Sequence, residues 1–353
     1  MALTLYVDGD RWRAHLRAAL DAEPGLVPVA KGNGYGFGVP RLARKAQRLG
    51  VDTLAVGQYD EVAAVESRFD GSILVLTPWR PFVDAPIEGP EARRLIHTVG
   101  RPEDLTELVR RARIPRGGPR VVLELLTSMR RHGFSAAGLR TAVASVPGSV
   151  TVEGIALHLP LSETGDHAAE VDRLMTDVVA ADLDVRTIWV SHLTRAGLAQ
   201  LGASWPDFTF RPRVGTALWL GDRGALQVRA TVLDAHPVAR GDAYGYRGRT
   251  APRKGTVLVV SGGTSHGIGL EAPTGDSSLR SRAGTLARGG LDAAGLVRSP
   301  YAVDGKLRFF AEPPHMQVSM LFLPSGVPVP AVGDEVDVRV RFTATHVDQV
   351  EIS

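Results

Sequence analysis

The sequence predicts an α/β protein, a (β/α)8 TIM-type barrel followed by a smaller, mostly β C-terminal domain. Two observations carry this prediction. Short runs rich in Val, Ile and Leu alternate with amphipathic helical segments over the first two thirds of the chain. In the last third this alternation stops, and strand-like runs bounded by Gly and Pro follow one another directly. We therefore place the barrel at residues 1–222 and the β domain at residues 223–353.

Eight short apolar runs are the candidate strands of the barrel. Helical patterns lie between most of them, with apolar residues three or four positions apart, as at Leu105, Leu108 and Ala112. Eight strands that alternate with helices over about 200 residues are typical of a closed barrel. The predicted strands are residues 26–31, 53–57, 73–77, 95–99, 121–125, 154–158, 188–191 and 214–221.

The C-terminal third contains four further predicted strands, at residues 227–233, 255–260, 316–323 and 336–343. A loop rich in Gly, Ser and Arg, at residues 272–295, interrupts them. We expect this loop either to be mobile or to reach a neighbouring subunit.

Composition excludes several classes of function. The 41 basic and 38 acidic side chains nearly cancel and are interspersed, so we expect no nucleic-acid partner. No apolar run approaches the roughly 20 residues of a membrane span, and residues 1–8 lack a signal-peptide pattern, so we expect a cytoplasmic protein without membrane association. The chain has no cysteine, and His315 and His346 lack a closely spaced second ligand, so we predict no metal site.

Lys31 stands at the carboxyl end of the first predicted strand, where the loops of a barrel converge into a site. A charged lysine that closes a buried strand is costly, and a Schiff base with an aldehyde cofactor would remove that cost. Glycines at alternate positions from 32 to 38 allow close approach of the backbone, and Tyr35 offers a hydroxyl to a phosphate group. The alternative is a solvated lysine at a glycine-rich strand exit.

The segment Val-Ala-Lys-Gly-Asn-Gly-Tyr-Gly-Phe-Gly, residues 29–38, resembles the cofactor-lysine motif of bacterial alanine racemases, V-K-A-N-A-Y-G-H-G. The similarity continues in order to the region of Met320. It implies an isomerase that uses pyridoxal 5′-phosphate to racemise L- and D-alanine or a related amino acid. It further implies that Lys31 forms the Schiff base, that Tyr35 contacts the phosphate, and that a homodimer forms in which the partner's β domain completes each site.

Residues 124–134, Glu-Leu-Leu-Thr-Ser-Met-Arg-Arg-His-Gly-Phe, resemble K-I-D-T-G-M-N-R-L-G-F of that family. This places Arg131 where an arginine contacts the cofactor oxygen and the substrate carboxylate. Glu124 replaces a lysine that the family often carbamylates. Because a glutamate already supplies a negative group, we expect Glu124 to orient Arg131. The alternative is that Arg130 and Arg131 are a solvated pair at a turn.

Two more predicted strand ends match the family less closely. His158 falls where the family has a Thr-His pair, which implies packing near the cofactor ring, although a histidine at a strand end is more often structural. Ser191 and His192 lie near an Asn-Ser pair whose serine binds phosphate. Either residue is a candidate for that contact, so we predict all three as cofactor-binding residues.

Residues 211–221, Arg-Pro-Arg-Val-Gly-Thr-Ala-Leu-Trp-Leu-Gly, resemble R-P-G-I-A-L-Y-G. This implies that Arg213 faces the pyridine nitrogen, where a permanent positive charge disfavours protonation of that nitrogen and suits racemisation with few side reactions. Gly221 is matched to a backbone amide that contacts the phosphate. The alternative for Gly221 is an ordinary turn glycine.

The resemblance fails at the second proton-transfer group. The family uses a tyrosine of the partner's β domain in a G-Y-A-D-G-Y motif, and residues 263–268 here place Thr264 in that position, a much weaker acid. We predict His266 as the second base, since an imidazole titrates near neutral pH. Tyr244, Tyr246 or the use of a single base are the alternatives. Met320 falls where the family contacts the substrate carboxylate, and Leu321 replaces an aspartate.

Other functions fit the same residues. A catalytically silent homologue that binds pyridoxal phosphate or a partner protein is the main alternative, because Thr264 removes the usual acid. An amino-acid decarboxylase is a weaker alternative, because the glycine-rich phosphate loop and the cysteine motif expected of such enzymes are missing.

Overall fold

The computed structural model describes residues 2–89, 91–114, 117–161, 167–270 and 297–353, so the predicted loop at 272–295 lies outside the described residues. The chain forms two compact units. The barrel unit comprises Arg13–Gly34 and Gly38–Gly221, and the β unit comprises Met1–Trp12, Tyr35–Phe37 and Asp222–Ser353. In the parts of the chain that the structure describes, no helix has the length and apolar character needed to cross a membrane.

The chain begins with a strand of the β unit, β1 (Leu3–Val7). The next eight strands form one parallel sheet of the barrel unit, in the order β2-β9-β8-β7-β6-β5-β4-β3. A bridge between Val29 and Ala55 joins its two edges and closes the barrel. The strands are β2 (Val27–Pro28), β3 (Thr53–Val56), β4 (Ser72–Val75), β5 (Leu95–Val99), β6 (Arg120–Leu125), β7 (Thr151–His158), β8 (Thr187–Ser191) and β9 (Thr209–Val214).

Helices follow most barrel strands, as the sequence predicts for a (β/α)8 barrel. Short 3₁₀ helices lie at Gly34–Gly36, Tyr59–Glu61 and Glu91–Arg94. The α-helices are α1 (Gly9–Ala22), α2 (Val39–Leu49), α3 (Val62–Glu66), α4 (Pro102–Arg111), α5 (Ala136–Ser145), α6 (His167–Ala180), α7 (Arg195–Ser204) and α8 (Thr216–Leu220).

The eighth predicted strand, at residues 214–221, is wrong. The strand is β9, and most of the predicted segment forms helix α8. A short apolar run does not distinguish a buried strand from a buried helical turn, and α8 buries Leu218, Trp219 and Leu220. Gly221 therefore follows the end of α8, and Gly215 is the residue that directly follows β9.

The interior of the barrel is an apolar layer to which most strands contribute one inward-facing residue. Successive side chains of a strand point to opposite faces, so the next inward position lies two residues further along each strand, toward the carboxyl ends. The layer consists of Val27, Val29, Ala55, Leu74, Ile96, Val122, Ala156 and Trp189.

The β unit contains a mainly antiparallel eight-stranded sheet in the order β13-β16-β15-β14-β17-β10-β1-β18, and β13 also pairs with β10. The four strands predicted in this region are present, but β1, β14, β15 and β18 were not predicted. Their order in the sheet pairs segments far apart in sequence, such as β1 and β10. The strands are β10 (Leu226–Val238), β11 (Ala243–Tyr244), β12 (Arg249–Thr250), β13 (Gly255–Ser261), β14 (Arg298–Val303), β15 (Lys306–Phe310), β16 (Val318–Pro324), β17 (Glu335–Val338) and β18 (Gln349–Ile352), with short 3₁₀ helices at Arg223–Ala225 and Thr264–His266.

Candidate active site

Polar side chains stand above the apolar layer at the carboxyl ends of the barrel strands. The alternation of the strands requires this, since Lys31, Glu124 and His158 each lie two residues beyond a core residue. Ser191 lies two residues beyond Trp189, and Arg213 lies near the end of β9. We call these five residues, Lys31, Glu124, His158, Ser191 and Arg213, the barrel mouth.

The strand end at Lys31 is fixed by a carboxylate that the sequence analysis missed. Glu61 accepts hydrogen bonds from the backbone N–H of Gly32, of Gly57 at 2.6 Å and of Gln58 at 3.1 Å. One carboxylate thus joins the exit of the first barrel strand to the turn after β3. The available sequence signal was a glutamate three residues after Gln58, a position typical of a cap.

The Lys31 amine has a lowered pKa. Its side chain reaches solvent at the barrel mouth, but the surrounding protein removes much of its water, and this desolvation is the largest cause of the shift. Arg131 and Arg213 lower the pKa further by charge repulsion, and Glu61 partly opposes them. A lowered pKa raises the fraction of neutral amine, which is the form that attacks an aldehyde.

The glycines after Lys31 are required by the backbone itself. Residues 32, 34, 36 and 38 all have positive φ, and Tyr35 among them has a φ of 56°. A side chain at Gly34 would place its Cβ 2.5 Å from the Val39 nitrogen. The glycine pattern therefore reflects a left-handed path of the chain, which is a sufficient physical reason for it. Tyr35 is buried and belongs to the β unit.

Arg213 and Glu124 are a buried cation and a buried carboxyl in the same mouth, 6% and 4% exposed. Arg213 donates to the Leu157 carbonyl at 3.0 Å, and burial lowers its pKa to about 10, so it stays protonated at neutral pH. Burial raises the pKa of Glu124, against the opposing charges of Arg213, Arg131 and Arg80. Within the described residues, Arg213 Nε and Glu124 Oε2 have no hydrogen-bond partner.

Arg131 is exposed, and no ion pair joins it to Glu124 in the described parts of the chain. The sequence predicts that Glu124 orients Arg131. Among the arginines that oppose the rise in the Glu124 pKa, Arg213 has the largest effect. Glu124 therefore acts on Arg131 only through its charge.

Two histidines stand edge to face at the mouth. The rings of His158 and His192 have centroids 5.3 Å apart and an interplanar angle of 89°. Burial, followed by the charges of Arg213 and Arg131, lowers the pKa of His158 to about 3, and burial lowers the pKa of His192. Both imidazoles are therefore neutral at pH 7. His192 also has a φ of 63°, a left-handed conformation that histidine adopts more often than most residues.

The charge balance of the mouth suits an anion. Arg131 and Arg213 act on Lys31 and also on the buried carboxyl of Glu124, whose ionised form burial disfavours. Within the described residues, no group of three His, Asp or Glu side chains has a geometry suited to a metal ion. The unpaired Arg213 N–H and the Lys31 amine match the needs of pyridoxal phosphate, which presents an aldehyde, a ring nitrogen and a phosphate. The residues present therefore fit that cofactor.

His266, the predicted second base, is held inside the β unit. Its Nδ1 accepts from the Gly263 N–H at 3.1 Å, so its Nε2 carries the proton and donates to Asp348 Oδ1 at 3.1 Å. Asp348 in turn accepts from the Leu3 N–H at 2.7 Å. The ring is buried, and both nitrogens are used by these contacts. This arrangement gives His266 a structural role in the turn that follows β13.

The other β-unit candidates lie on or beside the same turn. The Thr264 N–H donates to the His315 carbonyl at 2.8 Å, which ties the turn to the segment before β16. Met320 is half-buried on β16, opposite Val259 of β13, and Leu321 is fully buried in the core. Tyr246 is 87% exposed. A buried leucine thus replaces the aspartate that the resemblance predicts next to Met320.

Comparison with known proteins identifies the family of this chain. Residues 7–221 match the family model described as alanine racemase, N-terminal domain, and this match covers more than half of the chain. The chain belongs to the alanine racemase family. The alanine racemase of Nitratidesulfovibrio vulgaris is 27% identical over 263 residues, which are 68% of this chain and 69% of that protein. That of Beutenbergia cavernae is 28% identical over 261 residues, 67% and 68% of the two chains.

Solved alanine racemases share the fold. The enzyme of Bartonella henselae, determined with covalently bound pyridoxal phosphate, has a TM-score of 0.71 at 17% identity and covers 100% of this chain and 99% of its own. The enzyme of a D-cycloserine-producing Streptomyces lavendulae has a TM-score of 0.69 at 22% identity, with coverages of 96% and 87%. The predicted barrel followed by a β domain is confirmed as the fold of this family.

Proposed function

We propose that this chain is a pyridoxal-phosphate-dependent amino-acid racemase and that Lys31 carries the cofactor covalently. The observation that carries the proposal is the Lys31 amine, whose pKa is lowered at a mouth that also holds a buried arginine with an unpaired N–H. An unprotonated amine beside fixed positive charge is what attachment of an anionic aldehyde requires. Membership of the alanine racemase family supports the same assignment.

Each mouth residue has a role in this proposal. Arg213 would hold the ring nitrogen of the cofactor, and its charge, which burial does not remove at neutral pH, would disfavour protonation of that nitrogen. Arg131 is exposed at the mouth and binds the substrate carboxylate. His158 would pack beside the cofactor ring, and Ser191 or His192 would hold the phosphate. Tyr35, Gly221 and Met320 remain predictions from the resemblance, two of them in the β unit and one after α8.

Pyridoxal phosphate, when bound, stabilises the negative charge that develops on the substrate α-carbon during proton removal. The protein's task is to hold the amino acid and to move protons. Lys31 Nζ exchanges a proton with one face of the α-carbon, for which its lowered pKa is suited. Glu61 fixes the backbone of the residue that follows Lys31, and so the strand exit from which the Lys31 side chain extends.

The relatives support the proposed substrate. The matched curated proteins are alanine racemases, so L- and D-alanine are the proposed substrates. We also propose that the chain forms a homodimer, in which the β unit of one subunit supplies groups to the barrel mouth of its partner. Two large apolar side chains of the β unit, Tyr246 and Met316, are 87% and 73% exposed, which is typical of a surface that another chain covers.

A labelling experiment tests the proposal. The chain is incubated with pyridoxal phosphate, reduced with borohydride and mapped by peptide mass spectrometry. We expect the adduct on Lys31, with none on the exposed Lys254. Production of D-alanine from L-alanine then tests turnover, and sedimentation tests the dimer. Absence of an adduct at Lys31 would overturn the proposal, whereas an adduct without D-alanine would favour the catalytically silent alternative.

A further inference from the structure

A second histidine of the β unit lies beside the turn that contains Thr264. His315 Nε2 lies 2.6 Å from Oε1 of Glu312, which is 2% exposed on its side chain. A buried carboxylate can only accept, so Nε2 carries the proton and donates it to Glu312. This fixes the tautomer and leaves the lone pair on Nδ1.

The Nδ1 atom of His315 has no hydrogen-bond partner within the described residues. His266 differs in this respect, because both of its ring nitrogens are used. An imidazole oriented by a carboxylate through one nitrogen, with the other nitrogen open, is the arrangement that general bases adopt in enzymes. The side chain of His315 is 25% exposed, so the ring is held by the protein and still accessible.

Exposed apolar side chains lie beside His315. The Tyr246 ring lies against His315 with centroids 4.6 Å apart, and the Tyr246 N–H contacts the same Glu312 oxygen at 3.3 Å. Met316, the next residue, is exposed and accepts from the Ser265 N–H at 3.0 Å. An oriented base surrounded by exposed apolar side chains fits a site that closes when another chain covers it.

Glycine is required where this cluster is most crowded. A Cβ at Gly245 would lie 2.2 Å from Glu312 Oε2, and a Cβ at Gly263 would lie 2.2 Å from the His315 carbonyl oxygen. The backbone on both sides of the Glu312 and His315 pair is therefore closely packed. Close packing on both sides keeps the pair in one geometry, as a proton-transfer group needs.

We propose that His315 is the second proton-transfer residue of the racemase and that Glu312 is the residue that positions it. This rests on the proposed function. In the proposed dimer, Nδ1 takes the proton from the α-carbon of a substrate held at the partner's barrel mouth, and the electron pair of the broken C–H bond stays on the substrate. The lysine of that mouth, protonated for this direction, returns a proton to the opposite face. In the other direction the two roles reverse. The two side chains regain their starting protonation by exchange with water.

Exchange of the α-proton with deuterated water, measured separately for L-alanine and D-alanine, tests this role. Each base removes the proton of one enantiomer, so H315Q is expected to slow exchange of one enantiomer about 100-fold or more. Exchange of the other enantiomer stays within a few-fold, because Lys31 is intact. Equal loss for both enantiomers, or racemisation within a few-fold of the native chain, would overturn the proposal.

His236 supplies the matched control. It forms a comparable histidine–carboxylate pair with Asp234, at 3.2 Å on the same unit, but both side chains are more than half exposed. H236Q is expected to leave exchange of both enantiomers unchanged. E312Q is expected to slow exchange of the same enantiomer as H315Q, by a smaller factor, and to change its pH profile, since an amide no longer fixes the ring charge and tautomer.

A readout without cofactor separates the two proposals. Nitrogen NMR of the chain labelled at histidine should find His315 protonated at Nε2 in its neutral form, and E312Q should shift that signal. A proton on Nδ1 would overturn the role of His315 even if Lys31 carries the cofactor. If borohydride reduction leaves no adduct on Lys31, the proposed function is wrong. The proposed role of His315 is then wrong as well, whatever the NMR result.

Discussion

The barrel mouth and the turn at residues 263–266 both contain buried polar groups, but they use them differently. At the mouth, Arg213 Nε and Glu124 Oε2 have no partner within the described residues. In the turn, both nitrogens of His266 are hydrogen-bonded, to Gly263 and to Asp348. A buried polar group without a partner costs the native state free energy, so the two groups at the mouth are candidates for contact with a ligand.

This difference indicates which polar residues are built for a ligand and which for the fold. Substitutions at the mouth should affect binding more than stability, and substitutions in the turn should affect stability more than binding. The Glu312 and His315 pair combines both features. The Nε2 atom of His315 is hydrogen-bonded to Glu312, and its Nδ1 atom has no partner within the described residues.

The largest expected effect is at Lys31. K31A should abolish the reducible adduct with pyridoxal phosphate entirely, because the other lysines of the chain lie in helix α2, at position 45, or in the β unit, at positions 254 and 306. Peptide mass spectrometry after borohydride treatment measures this, with K254A as the control that keeps the adduct. An adduct that persists in K31A would assign the cofactor to another lysine.

The next effect tests whether two subunits share a site. K31A and H315Q should each be inactive, and mixing them should restore about a quarter of the native activity, because half of the randomly formed dimers contain one intact site. Racemase assays after joint unfolding and refolding measure this. A mixture as inactive as its components would show that the β unit does not act on the partner's barrel.

In the turn, H266A is expected to lower the free energy of unfolding by about 1–3 kcal/mol, because it leaves the Gly263 N–H without its acceptor and removes the donor to Asp348 Oδ1. Urea denaturation measures this change, and the Lys31 adduct should still form. H236A, at an exposed histidine, should stay within about 0.5 kcal/mol of the native chain. A stable H266A that fails to bind cofactor would reverse the comparison.

His158 should make the cofactor-free chain sensitive to acid. Its folded pKa of about 3 lies below the ordinary 6.5, so the unfolded chain takes up the proton first. The native state therefore loses stability as the pH falls below about 6.5. H158Q should remove about 1–2 kcal/mol of this loss by pH 4, less than the full shift implies because the ring is partly exposed. Equal acid sensitivity of both chains would contradict the burial assigned to His158.

The smallest effect is expected at Glu124. Because burial raises its pKa, the unfolded chain ionises this group at a lower pH than the folded chain, and ionisation costs stability at neutral pH. E124Q should therefore be more stable than the native chain at pH 8, on the order of 1 kcal/mol, and equal to it below pH 4. A less stable E124Q at pH 8 would mean that the charge attraction of Arg213 outweighs burial.

Much of the fold was predictable from the sequence because it depends on local pattern. Seven barrel strands follow from short apolar runs, which a parallel sheet buried on both faces requires. The eighth was misplaced because an apolar run from Val214 to Leu220 fits a short buried helix equally well. Strand β1 was missed because its partners, β10 and β18, lie more than 200 residues away.

At the candidate site, the residue types and their places at strand ends were predictable, since Lys31, His158, Ser191 and Arg213 follow from strand periodicity and a family motif. How each polar group is used depends on the three-dimensional structure. There the Glu61 carboxylate binds the backbone at the Lys31 strand exit, His266 is enclosed between Gly263 and Asp348, and His315 Nδ1 has no hydrogen-bond partner among the described residues. The reason is physical: hydrogen-bond partners and burial come from segments distant in sequence, and these decide whether a histidine supports the fold or remains available for proton transfer.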